Sequence, residues 1–162
     1  MNVKTRAAVA AHMLVAALAL LASDASAASS KGDPTVNRHT RAYIDTVRGC
    51  QAVVAVIRLD IRQRVSDIRL ADDATQARDI CQGASDSLLD ANTDHFDKQA
   101  TTAWYGVDRY KSGLNAMLAY IDDPRPTKLI EVRDKLAQGD SATRIGIRGI
   151  NLRRAVYGLK AY

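Results

Sequence analysis

Apolar residues fall at helical spacing in four successive stretches of the chain. The first opens near Thr35, and Ile44, Val47, Val54, Ile57, Ile61, Val65 and Ile68 form a seam along it. Cys50 fits the vacancy between Val47 and Val54, while Arg41, Arg48, Arg58, Arg62 and Arg69 lie off the seam. Asp72 or Asp73 is a suitable cap for a second helix over about Ala74 to Asn92, with Ala77, Ile80, Cys81, Ala84, Leu88 and Ala91 facing inward.

The third stretch, about Asp94 to Asp122, has the cleanest period, running through Phe96, Ala100, Ala103, Trp104, Val107, Tyr110, Leu114, Met117 and Ile121. Asp123-Pro124-Arg125-Pro126 ends it, because proline disfavours helix in the residue before it, and Pro126 suits the first turn of a fourth helix. That helix carries Leu129, Val132 and Leu136, then meets Gly139-Asp140-Ser141, a candidate break. Beyond it Ile145, Leu152, Val156 and Leu159 share one face, and Ile147, Ile150 and Tyr157 a second, roughly opposite. Strand alternation and hairpin turn signals are missing. The pattern predicts an all-α, up-and-down bundle of about four helices over residues 35–162.

The N-terminus changes the picture of where this bundle works. Lys4 and Arg6 precede an apolar run over residues 7–22, and Ala25-Ser26-Ala27 fits the site read by a signal peptidase. The expectation is a secretory signal peptide over 1–27, a flexible leader over 28–34, and a secreted protein, periplasmic or extracellular, with no membrane span after cleavage. Cleavage removes Lys4, Arg6 and Asp24 from 23 basic and 18 acidic residues, leaving a formal charge of +4. That is too mild for a dedicated nucleic-acid binder.

Cys50 and Cys81 are an even pair in an exported chain, which predicts a disulfide. One tension accompanies it. The two cysteines are equidistant from position 65.5, whereas the turn signal sits near 71–73. Either the first helix ends early, near Arg62–Ser66, or the connection is long, or the pair does not close.

Charge is segregated. Between Ala71 and Asp97 there are seven Asp and one Arg; between Ser141 and Tyr162 there are five cations and no acid. Such blocks are expected to pair within a small bundle. The sharper expectation is an anion-binding surface at Arg144, Arg148, Arg153 and Arg154. His39 and Tyr43, four apart, could offer two ligands to haem or a metal. Asp86, Asp90, Asp94 and Asp97 could form a carboxylate row on one helix, although no calcium loop accompanies it. Nucleophile elbows, zinc motifs, phosphate loops and dinucleotide fingerprints are missing, so the sequence implies no cofactor.

Together these features predict a small exported bundle with a non-enzymatic binding or interaction role toward a protein or an anionic cell-envelope partner. Two alternatives stand beside it: an all-helical secreted enzyme with an Arg-lined pocket for an anionic substrate, and a haem- or metal-binding carrier.

Overall fold

The computed structural model describes residues 32–162. The expected signal peptide, and the expected leader up to residue 31, lie outside them. Four helices follow one another: α1 (Pro34–Gln63), α2 (Asp67–Leu89), α3 (Asp97–Asp122) and α4 (Pro126–Val156). Consecutive helices run antiparallel and enclose one apolar core, as the spacing predicts. Among the described residues no strand occurs, and no helix is long and apolar enough to cross a membrane.

The start of α1 is set by Asp33, whose carboxylate accepts from the backbone N–H groups of Thr35 and Val36, with Pro34 in the first turn. The helix begins one residue before the expected Thr35. Its end is the larger correction. The chain leaves α1 at Arg64, a non-glycine residue in the left-handed region (φ 54°). The N–H of Val65 then reaches back to the carbonyl of Asp60, closing the helix end. Ser66 caps α2 by accepting from Arg69 N–H, and Asp67 places an acid in its first turn. The second helix therefore starts at Asp67, not near Ala74, and Ile61 and Ile68 are exposed rather than part of the seam.

This early break resolves the cysteine tension. With the turn centred on Val65, Cys50 and Cys81 meet between α1 and α2 with their Cα atoms 5.0 Å apart, and they form a disulfide. A disulfide is the usual mark of an oxidising compartment.

α4 is one continuous helix, so the expected break at Gly139 does not occur. Gly139 is instead a point of close approach. A methyl group placed on it would lie 2.5 Å from the Tyr110 ring, and one on Gly146 would lie 2.6 Å from the backbone nitrogen of Ala103. Gly106 faces Thr143 and Gly113 faces Leu136 in the same antiparallel register. Small residues at seven-residue spacing on both helices let α3 and α4 pack almost backbone to backbone. The α4 face that this leaves outward carries Ile145, Leu152 and Val156, all more than half exposed, while Ile150 from the opposite strip is fully buried.

α3 begins at Asp97, three residues after the expected Asp94. Because α2 ends at Leu89, the Asp86–Asp97 carboxylate row spans a turn and is not one helix face. Aromatic residues in and just before α3 anchor the core, while Tyr105 is exposed. Phe96 and Tyr110 are buried, and Trp104 donates its indole N–H to the hydroxyl of Ser85 on α2 (3.0 Å).

Candidate functional site

The tight α3–α4 contact leaves the opposite flank of α4 free of close packing. There α1 and α4 border an open cleft in two parts, about 900 and 550 Å³, that share Arg58 and Asp140. Polar side chains of α1 reach across this cleft to α4. The Arg58 guanidinium donates to both oxygens of Asp140 (3.1 and 2.7 Å), and the Gln51 amide donates to the Thr143 hydroxyl (2.9 Å). Beneath them the Tyr110 hydroxyl donates to Asp140 (2.7 Å). Burial above all, with the charge of Asp140 adding to it, pushes the Tyr110 phenol up from its ordinary range.

Arginines line the rest of the cleft. Arg48, Arg144 and Arg148 line the larger part, beside Gln51, Asn151 and the apolar side chains of Ile147 and Leu152. Arg62 and Arg133 line the smaller part, beside Ile61, Leu129 and Leu136. Asp140 is the one carboxylate residue lining either part, and Arg58 and Tyr110 already engage it. Arg48, Arg62, Arg133, Arg144 and Arg148 form no ion pair with any described residue. A concave surface carrying one sign of charge focuses its field on the space above it.

At its upper end the cleft is bounded by the segment that follows α4. Gly158 takes φ 68° and the chain turns back. Ala161 lines the cleft, and the backbone of Tyr162 exchanges two hydrogen bonds with the Asn151 amide (2.9 and 2.7 Å). The Tyr162 ring gathers three guanidinium groups, from Arg41, Arg48 and Arg154, at 4.6, 5.2 and 5.6 Å from its centre.

Of the four arginines expected to bind anions, the structure brings Arg144 and Arg148 into the cleft and places the other two elsewhere. Arg153 donates to the carbonyl of His95 (3.1 Å) and lies over the Tyr157 ring. Arg154 is 2% exposed and donates to the Thr40 hydroxyl (2.6 Å) and the Lys160 carbonyl (2.9 Å). Burial, and then the nearby charge of Arg41, hold its guanidinium below its usual range. Arg48 and Arg58 were not among the expected site residues. The signal available for them was their place off the apolar seam of α1, which points them at whichever helix borders that flank.

The expected pairing of the acidic and basic blocks does not occur. Among the described residues no ion pair joins a carboxylate of α2 to a cation of α4. Of the His39–Tyr43 pair, Tyr43 is absorbed into the bundle, whereas the buried Nδ1 of His39 finds no hydrogen-bond partner among the described residues. The Tyr43 hydroxyl donates to the carbonyl of Ala100 (2.8 Å), and its ring meets Phe96 edge to face. Burial, aided by the charge of Asp97, pushes the Tyr43 phenol up and disfavours the phenolate a metal would need. Among the described residues no three His, Cys, Asp or Glu side chains gather as a metal site. Comparison with known proteins found no matching family model, no matching curated protein and no matching solved structure.

Proposed function

We propose that this chain is a non-enzymatic binding protein of an oxidising, extracytoplasmic compartment, and that it takes an acidic protein partner along the α1/α4 cleft. The observation that carries this reading is the lining of the cleft. Five arginines without ion-pair partners border it, and its one carboxylate is already engaged. Apolar side chains between the arginines offer contact area, and arginine over an apolar floor is a common composition of protein interfaces. The disulfide supports the compartment.

The same arginines would serve an enzyme acting on an anionic substrate. Binding without turnover is the better reading because the groups between them are already committed. Asp140 is held by Arg58 and Tyr110, and the Tyr110 phenol is shifted away from ionisation.

Calorimetric titration of the purified protein with a poly-L-glutamate peptide tests the proposal. Binding is expected at low salt and should weaken as salt screens it. Arg144→Gln with Arg148→Gln should lower affinity roughly tenfold, as two solvent-facing ion pairs would. Arg153→Gln, outside the cleft, should leave it unchanged. No binding at low salt, or equal binding by the cleft double variant, would overturn the reading.

A further inference from the structure

The acidic side of the same molecule suggests what fills the cleft. On α2, Asp72, Asp79 and Asp86 recur every seven residues, with Asp90 one turn beyond, all exposed on the side opposite the α2 core positions Ala74, Ala77 and Cys81. Asp79 pairs with its neighbour Arg78; Asp72, Asp86 and Asp90 form no ion pair with any described residue. From Asp72 to Asp90 this stripe spans about 27 Å at the α-helical rise. The α4 wall of the cleft spans about 22 Å from Arg133 to Arg148 by the same rise. Asp86 and Asp90 stand one turn apart, as do Arg144 and Arg148. A convex acidic ridge and a concave basic cleft of comparable length therefore occupy different faces of one chain, and most of the charges on each have no ion-pair partner among the described residues.

We infer that the occupant of the cleft is the acidic α2 face of a second copy of this chain. The inference rests on the cleft reading proposed above and names its partner. The two surfaces differ, so the contact is head to tail. Each copy offers one ridge and one cleft, and the assembly grows as an open chain unless its rotation closes a ring. Charge supplies orientation and rate, while Ile147, Leu152 and the exposed Ile68 supply apolar contact at the seam.

Sedimentation velocity of the purified protein over a concentration series tests this, at about 20 mM salt and again near 500 mM, where screening is several-fold shorter. The expected result is mass that rises with concentration at low salt and falls to monomer at high salt. Arg144→Gln/Arg148→Gln, and separately Asp86→Asn/Asp90→Asn, should each shift association to at least tenfold higher concentration. All four positions are solvent-facing, and unchanged circular dichroism checks the fold of each variant. Mixing the two variants decides the geometry. The intact cleft of one can seat the intact ridge of the other, so the mixture should form a dimer that grows no further. A monomer at every concentration in low salt, or an oligomer indifferent to both variants, would overturn the inference. If poly-L-glutamate still binds in that case, the cleft reading stands and only the identity of the partner falls.

Discussion

At the scale of single residues, the glycines of this chain do opposite work in different places. Gly146 meets the Ala103 backbone, whereas Gly83 has open space where a Cβ would go. Gly146→Ala must push α3 and α4 apart and should destabilise by about 1–3 kcal/mol. Gly83→Ala, on an exposed helical surface, should stabilise by about 0.5–1 kcal/mol through helix propensity. Urea unfolding of the two variants checks both signs. Gly139 illustrates why residue type alone misleads. A glycine beside Asp and Ser reads as a helix break, but the position is needed for the Tyr110 ring and the helix runs through it. Helix propensity is a cost of about 1 kcal/mol, and the packing it permits outweighs it.

Tyr43 gives a residue-scale test in pH. Its phenol is pushed up by burial in the folded chain and sits near its ordinary value of about 10 when unfolded. Below that value both states keep the proton, so the contribution of Tyr43 is fully present. As pH rises above it the unfolded state releases its proton first, and stability falls toward the higher folded value. Tyr43→Phe should lose about 1 kcal/mol at neutral pH with its hydrogen bond. It should also show a shallower decline of stability as pH rises from about 10 to 12. An equally steep decline in the variant would mean that Tyr43 is not protected from ionisation.

Among the elements, the α1–α2 hairpin depends most on a single covalent link. The Cys50–Cys81 bond closes a separation of 31 residues, for which chain entropy predicts a stabilisation of about 3–4 kcal/mol. Reductant should lower the unfolding free energy by that order, read from the shift in denaturant midpoint at constant slope. No shift would mean that packing alone fixes the hairpin.

The hairpin also marks where the sequence was legible and where it was not. Both cysteines lie on apolar seams, which predicted a disulfide, but the apparent turn at 71–73 left its closure open until the structure brought the two together. The turn could not, because Arg64 adopts a left-handed conformation that glycine usually signals, while the conspicuous Asp72-Asp73 pair lies inside α2. Symmetry of the cysteines about position 65.5, with Ser66-Asp67 as cap, was the usable clue.

For the whole molecule, helix periodicity fixed the number and order of helices but not which flanks remain open. Arg144 and Arg148 were readable as a basic surface because they lie one turn apart. Arg48 and Arg58 join them only through the packing of α1 beside α4, which no local pattern encodes. The separation of acidic and basic segments was also plain in the sequence. Its natural reading as internal pairing fails because α2 turns its acids outward, on the side away from its core positions.

If the α1/α4 cleft receives an acidic partner, an acidic peptide should perturb the residues that line it before any others. The most direct test follows amide and arginine Nε resonances by nuclear magnetic resonance as a short poly-L-glutamate peptide is added. Shifts should concentrate on Arg48, Arg144, Arg148 and the neighbouring Gln51 and Asn151, and should disappear at high salt. Shifts centred on Arg153 and the α3–α4 end, or spread evenly over all exposed cations, would rule out the cleft as the binding surface.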